Sequence, residues 1–225
     1  MPRTARAIVA DYCYHVINRG NQKATVFHEP ADYDQFLGLL ARAQARLPLR
    51  LLAACLMPNH IHLVVQPAHA TDLSRWTHWV FTTHVRWYHA KYETTGRVWQ
   101  GRFKAFPAQH DHHLLTVMRY VERNALRAKL VERAEDWRWG SLSWRRDAYP
   151  PLSLAPPPVS LPSYWRQLVN DPQSAAEVAA IRACVNRQRP FGDEDWVRNQ
   201  VVELGLEQSL HPVGRPGRSS RVPIC

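Results

Sequence analysis

Residues 55–66, with the sequence CLMPNHIHLVVQ, form the stretch around which the fold is predicted to be built. Pro58 disfavours helix at the residue before it, so the Met-Pro-Asn break predicts a turn. The apolar and β-branched run that follows predicts a strand. Side chains two residues apart in a strand share a face, so we expect His60 and His62 to lie side by side. Such a pair is half of a metal site, although it also fits two partly exposed histidines at a sheet edge.

The sequence around this stretch predicts an α+β domain over residues 1–148. Residues 49–56 form a short apolar run that predicts a buried strand, and the tight break after it predicts a hairpin. Further elements are expected in the order strand 11–18, helix 30–47, helix 71–92, strand 97–106 and a helix after Asp111. The order β-α-β-β-α-β-α predicts an antiparallel sheet flanked by helices.

The composition changes at Tyr149. Residues 149–162, YPPLSLAPPPVSLP, are rich in proline and predict an extended linker. Residues 163–188 and 193–206 predict two helices, so we expect residues 163–225 to form a small, mostly helical appendage. Its last 15 residues, rich in glycine, proline and arginine, predict a flexible basic tail.

The charge of the chain indicates a polyanionic partner. It carries 29 Lys and Arg against 19 Asp and Glu, a net charge of +10, which makes nucleic acid the first candidate. We find no apolar run long enough to cross a membrane and no signal-peptide core, so we expect a cytoplasmic protein. The 4 cysteines form no CxxC pair, which argues against a zinc ribbon or a thioredoxin-type motif.

A second chemical motif lies in residues 118–130, MRYVERNALRAKL. Tyr120 and Asn124 are four residues apart and so share one face of the predicted helix. If that helix packs against the strand of His60 and His62, two nitrogens and one carboxamide oxygen could bind a divalent cation. Tyr120 would then be a nucleophile that attacks a phosphorus polarised by the metal.

Four stretches of the chain resemble the motifs of a known family: PNHIHLVV, WQGRFKAF, RYVERNALRAKLV and EDWRWGSL. From about residue 13 to 143 the chain resembles the single-tyrosine HUH transposases, and specifically the REP-associated tyrosine transposases related to the IS200/IS605 group. The resemblance implies a ferredoxin-like HUH domain that binds Mg²⁺ or Mn²⁺ through His60, His62 and Asn124. It also implies that Tyr120 cleaves single-stranded DNA beside short palindromic hairpins, through a 5′-phosphotyrosine intermediate and with release of a 3′-OH.

Two positions depart from the family pattern. Ala125 follows Asn124 where the family often has proline, which changes the end of the helix but not the chemistry. Asn124 itself stands where the IS200/IS605 relatives commonly have glutamine, and this favours the REP-associated branch. IS200/IS605 relatives are dimers and the REP-associated branch is associated with monomers, so we expect a monomer, with a dimer as the alternative.

Basic and aromatic residues near these motifs are candidate DNA contacts. The stretch 97–106, RVWQGRFKAF, is either an edge strand with Trp99 and Phe103 packed inward, or a surface that contacts phosphates and stacks on an unpaired base. We favour phosphate contacts. On the catalytic helix, arginines recur every four residues with few acids nearby. The expected DNA contacts are Arg19, Asn21, Lys23, Arg97, Trp99, Arg102, Lys104, Arg119, Arg123 and Arg127.

Other clusters and functions compete with this interpretation. Tyr88 and Tyr92, beside two histidines, are interpreted as the core and rim of an amphipathic helix, and residues 110–113 as a helix start capped by Asp111. The leading function is a metal-dependent DNA strand transferase. A non-cleaving hairpin-binding regulator with the same fold is the alternative, against which the full set of catalytic residues argues. A zinc hydrolase ranks last, because no further ligands have zinc-like spacing.

Overall fold

The structure is a computed structural model that describes residues 8–47 and 49–210. In these ranges one four-stranded antiparallel sheet forms, with the strand order β2-β3-β1-β4. Its strands are β1 (Cys13–Arg19), β2 (Leu49–Met57), β3 (His60–Pro67) and β4 (Lys104–Ala108). The expected α+β fold with an antiparallel sheet is confirmed.

Helices cover both faces of the sheet and continue into the C-terminal region, as expected. They are α1 (Pro30–Arg46), α2 (Asp72–Tyr92), α3 (His112–Glu122), α4 (Asn124–Arg127), α5 (Ser141–Trp144), α6 (Trp165–Asn170), α7 (Ala175–Arg187) and α8 (Glu194–Glu203). None of the helices in the described ranges is both long enough and apolar enough to cross a bilayer.

The two faces of the sheet carry different helices because side chains alternate along each strand. Tyr14 and Val16 of β1 belong to the larger core, which α1 and α2 cover with residues such as Phe36 and Trp76. Cys13 points to the opposite face, where α3 packs through its own apolar side chains. This second face also carries the histidines of β3.

The predicted hairpin joins β2 to β3 through Pro58 and Asn59. The carbonyl oxygen of Pro58 accepts hydrogen bonds from the backbone of Val26 and Phe27, and that of Asn59 accepts one from Gly20. The chain that follows β1 therefore fixes the turn, and with it the start of the strand that carries both histidines.

The strand predicted for residues 97–106 is wrong over its first part. The structure has β4 only from Lys104, and the preceding residues form a loop in which Trp99 makes an isolated bridge to Gly20. Gly101 in this loop has φ +149°, a conformation that L side chains rarely adopt and that interrupts the pairing. The indole of Trp99 packs on aromatic rings that include Phe27 and Phe36.

Residues 149–162, the proline-rich stretch, form neither helix nor strand, and part of this stretch lies against the sheet. The backbone N–H of Ala155 donates to Leu51 O of β2 at 2.8 Å. The guanidinium of Arg50, the preceding residue of β2, donates to Pro156 O at 2.6 Å. Leu152 is buried in the larger core. Helices α6 and α7 of the appendage share the smaller core with α3. The domain boundaries at 148 and 162 stay a prediction, and the basic tail from residue 211 lies outside the described residues.

Candidate functional site

His60 and His62 stand on the face of β3 that α3 covers. They lie opposite Arg19 and Ile17 of β1. Their ring centroids are 4.9 Å apart, with an angle of 82° between the ring planes. His62 is buried and His60 is partly exposed. The side-by-side placement expected from the spacing is therefore present.

The side chain of Asn59 determines which nitrogen of His60 carries the proton. Asn59 Nδ2 donates to the carbonyl oxygen of Lys23 at 3.0 Å, and this orients the amide because a carbonyl can only accept. Asn59 Oδ1 then lies 2.6 Å from His60 Nδ1. Since an amide oxygen also only accepts, Nδ1 must be the donor. Nε2 of His60 consequently keeps a free lone pair.

Both imidazoles are neutral at neutral pH. Burial lowers the pKa of His60 to about 3, and the positive charges of Arg19 and Arg127 add to the effect. Burial, followed by the neighbouring His60, lowers the pKa of His62 well below its usual value. A neutral imidazole is the form that binds a metal ion, so this environment keeps both rings ready for a cation.

Tyr120 faces the histidine pair from α3. This helix starts as predicted, because the Asp111 carboxylate accepts from His113 N at 2.7 Å. Val117 and Val121 bury the sheet-facing side of the helix. The Tyr120 ring is mostly buried and meets His62 edge to face, with 5.8 Å between the ring centroids.

Arg127 connects Tyr120 to Asn124. Its guanidinium lies over the Tyr120 ring, 3.9 Å from the centroid, and Nη2 donates to Asn124 Oδ1 at 2.8 Å. Asn124 is buried, and its Nδ2 atom has no hydrogen-bond partner among the described residues. Asn124 is thus a polar side chain whose bonding capacity the protein itself does not fill.

These side chains fit a divalent cation. The neutral rings of His60 and His62 offer imidazole nitrogens, and the Asn124 oxygen has a second lone pair beside the one that Arg127 uses. A mixed set of nitrogen and carbonyl oxygen with positions left for water and phosphate suits ions such as Mn²⁺ or Mg²⁺. The set is too small to close a tetrahedral structural zinc site.

A second group of ligand atoms lies at the start of α3. Asp111, His112 and His113 place their ligand atoms within 4.8 Å of one another. The Asp111 carboxylate is engaged by the backbone and the ring of His113, as a helix cap. This agrees with the interpretation of residues 110–113 as a polar helix start.

A cleft of about 1780 Å³ opens over Tyr120, the two histidines and Asn124. Small-molecule pockets have volumes of roughly 300–1,000 Å³, so this cleft suits a larger ligand. Its described lining includes eight cationic side chains and no carboxylate: Arg19, Arg86, Arg97, Arg102, Lys104, Arg127, Arg182 and Arg187. Such a surface attracts a polyanion. Asn21 and Lys23, also expected to contact DNA, lie in a short 3₁₀ turn after β1.

Two arginines, Arg119 in α3 and Arg123 at its C-terminal end, do not face the cleft, against expectation. Arg119 Nη2 donates to Asp171 O at 2.9 Å and also to Pro172 O, and Arg123 Nη1 donates to the carbonyls of Val169 and Asn170. These carbonyls lie at the C-terminal end of α6, where positive charge is favourable. Arg119 and Arg123 therefore hold the appendage against α3, and Arg127 alone of the three lines the cleft.

Trp99 also departs from its expected role. Only 5% of its surface is exposed, and its ring packs between aromatic side chains of the larger core. An indole in this position has no free face on which a base could stack. The structure supports the alternative that was left open for residues 97–106, in which Trp99 and Phe103 pack inward.

The sequence interpretation missed His15 in β1. It is fully buried, and its Nε2 atom lies 2.8 Å from His62 Nδ1. The one available signal was a histidine inside a predicted strand of mostly apolar residues. It also missed Arg182 of α7, which is close enough to Arg127 to lower the pKa of that guanidinium, an effect that ranks after burial.

Comparison with known proteins identifies one family and several similar solved structures, two of which are described below. The sequence profile of the family described as "Transposase IS200 like" matches residues 8–124, which is more than half of the 225-residue chain. No curated protein sequence matches the chain.

The first solved structure is that of a REP-associated tyrosine transposase bound to a REP hairpin. It is 14% identical, with a TM-score of 0.54 over 69% of this chain and 92% of that chain. The second is a crystal structure from Deinococcus radiodurans provisionally described as a transposase. It is 18% identical, with a TM-score of 0.38 over 53% of this chain and 95% of the other. At these identities, the first likeness supports the fold alone.

Proposed function

Because this chain belongs to the family of IS200-like transposases, and is therefore a DNA-processing enzyme, we propose that it is a metal-dependent endonuclease and strand transferase for single-stranded DNA. The observation that carries the proposal is the position of Tyr120. Its ring is 5.8 Å from that of His62 and lies in a cationic cleft whose described lining has no carboxylate.

In the proposed reaction the Tyr120 oxygen attacks a backbone phosphorus. A bond forms between that oxygen and phosphorus, and the bond from phosphorus to the 3′-oxygen breaks. The phenolic proton passes to solvent, and the departing oxygen takes up a proton from solvent to become a 3′-OH. A divalent cation bound by His60, His62 and Asn124 would stabilise the charge at the phosphorus. The 5′-phosphotyrosine retains a phosphate ester at the cleaved end, so a 3′-OH can attack its phosphorus, displace the tyrosine and rejoin the strand.

The surrounding residues hold the nucleophile and the strand. Arg127 lies on the ring of Tyr120 and so restricts its orientation. Arg19, Arg102 and Lys104 line the same cleft and would contact phosphates on either side of the scissile bond. Such contacts release counterions, so binding should weaken steeply as the salt concentration rises.

We include a hairpin substrate in the proposal. The solved relative described above is bound to a REP hairpin, and the four sequence motifs of this chain resemble the REP-associated branch. Because Tyr120 and the histidines of one chain already stand together, the site needs no residue from a second copy. This supports a monomer as the active form.

The test is covalent capture of DNA. Labelled single-stranded hairpins with flanks would be incubated with the protein and Mn²⁺, or with chelator, and run on a denaturing protein gel. Tyr120→Phe should lose the covalent band and keep hairpin binding. Tyr149→Phe is the matched control, because Tyr149 is 91% exposed and does not line the cleft. A covalent band that persists in Tyr120→Phe would exclude this nucleophile.

One observation favours the alternative of a non-cleaving hairpin-binding regulator. The oxygen of Asn124 already accepts a hydrogen bond from Arg127, which leaves it one lone pair for a cation. If this bond prevented metal binding, the same cleft would still bind DNA. A salt-sensitive hairpin complex without any covalent product, in both Mg²⁺ and Mn²⁺, would support the regulator.

A further inference from the structure

His15 forms a direct contact with the buried member of the histidine pair. His15 Nε2 lies 2.8 Å from His62 Nδ1, and the two rings stack with centroids 5.0 Å apart and an angle of 15°. The contact joins two neighbouring antiparallel strands, β1 and β3. In their register His15 lies opposite Val64, and Ile17 lies opposite His62. Both strands lie inside the sheet, so the two rings have little freedom to move apart.

The hydrogen bond between the two rings admits two arrangements of protons. A direct contact of 2.8 Å between two ring nitrogens needs one donor and one acceptor, and a neutral imidazole carries a single N–H. If His15 donates from Nε2, His62 must carry its own proton on Nε2. If His62 donates from Nδ1, its Nε2 has a free lone pair. Only the second arrangement leaves His62 able to bind a cation through Nε2.

We propose that His15 is a positioning residue that accepts the Nδ1 proton of His62 and so reserves Nε2 of His62 for the metal ion. Asn59 does the equivalent for His60, where the amide oxygen admits only an Nδ1 donor. Both rings of the pair are then set to the same tautomer before a cation arrives. This inference rests on the proposed metal site.

The surroundings of His15 argue against a purely structural role. Its Nδ1 atom is buried and has no hydrogen-bond partner within the described part of the chain. The ring is bounded edge to face by Phe106 at 5.0 Å and by Tyr120 at 6.1 Å. The hydrogen bond to His62 is therefore the one that this ring makes among the described residues, and it distinguishes His15 from the equally buried His84, whose two ring nitrogens both lack a partner.

Ring-nitrogen NMR on the metal-free protein tests the inference without DNA or turnover. In protein labelled with ¹⁵N-histidine, the couplings to the ring protons distinguish an Nδ1–H tautomer from an Nε2–H tautomer. We expect His62 in the Nδ1–H form in the wild type and in His15→Gln, whose amide oxygen can accept the same proton. In His15→Leu, which has no acceptor, we expect this preference to be lost.

Mn²⁺ affinity of the same proteins, measured from the EPR signal of the free ion, gives the consequence for the metal. Residues that orient a metal-bound histidine change affinity by about 10–100-fold when replaced. We expect a loss of this size in His15→Leu and only a few-fold change in His15→Gln. His84→Leu is the matched control, because His84 is equally buried but belongs to the core on the opposite face of the sheet.

Two results would overturn the assignment of His15: an Nε2–H tautomer of His62 in the metal-free wild type, or unchanged Mn²⁺ affinity in His15→Leu. The first result needs no variant, so a folding failure of His15→Leu would not leave the question open. Failure of the wild type itself to bind Mn²⁺ would overturn the metal site, and the inference with it. A wild type that binds Mn²⁺ but shows the wrong tautomer would overturn only the role of His15.

Discussion

Replacing Arg127 by methionine removes the guanidinium that joins Tyr120 to Asn124 while it keeps a long unbranched side chain. The arginine lies 3.9 Å from the centre of the Tyr120 ring and donates to Asn124 Oδ1 at 2.8 Å. A hydrogen bond from a charged donor contributes about 1.5–3 kcal/mol. A desolvated cation on an aromatic ring contributes about 2 kcal/mol.

These contacts orient the attacking group, so we expect the loss of both to raise the barrier to cleavage by about the energy that one of them contributes. A rise of about 2–3 kcal/mol slows the reaction by about 30- to 150-fold. Binding should change little, because Arg127 is one of eight cations in the cleft and its charge is directed at Tyr120 and Asn124. The assay is single-turnover formation of the covalent adduct at saturating hairpin, together with hairpin affinity at several salt concentrations.

Arg102→Met is the matched control, because Arg102 also lines the cleft but is exposed on the loop before β4. If Arg102 contacts a phosphate, its loss should reduce the salt dependence of binding by about 0.7 in slope and leave the cleavage rate at saturation unchanged. The opposite pattern would refute our reasoning. Arg127→Met with a normal rate and a reduced salt slope would mean that Arg127 is a phosphate contact and does not orient Tyr120.

Two further predictions concern stability. Burial lowers the pKa of His84 from 6.5 to about 4, so between these values the unfolded chain binds a proton that the folded protein does not, and stability falls as the pH drops. Between pH 7 and pH 5, the free energy of unfolding measured with urea should therefore fall by about 2 kcal/mol less in His84→Leu than in the wild type. The same pH dependence in both proteins would contradict this. The buried Glu122 carboxylate accepts hydrogen bonds from Ser141, Arg145 and Trp165. Glu122→Gln should destabilise the protein by about 3 kcal/mol and alter the fluorescence of Trp165, whereas a fully stable variant would show that this network is unimportant.

Much of the site could be predicted from the sequence because it follows from local periodicity. Residues two apart in a strand share a face, and this placed His60 beside His62. Residues four apart in a helix share a face, and although α3 ends at Glu122 and Asn124 begins α4, the αR backbone of Arg123 between them keeps Tyr120 and Asn124 on the same cleft. The order of the elements and the hairpin at Pro58 also follow from short stretches of sequence.

The tertiary structure alone decided which distant segments meet. The sequence predicted that Arg119 and Arg123 contact DNA, whereas in the structure both donate to carbonyl oxygens at the end of α6. Trp99 was predicted to contact DNA, whereas in the structure its side chain is buried in the core. His15 contacts His62 only because two strands pair across 47 residues of sequence. Periodicity specifies the direction of a side chain within its own element, whereas its partner depends on packing between elements far apart in sequence, which no local pattern encodes.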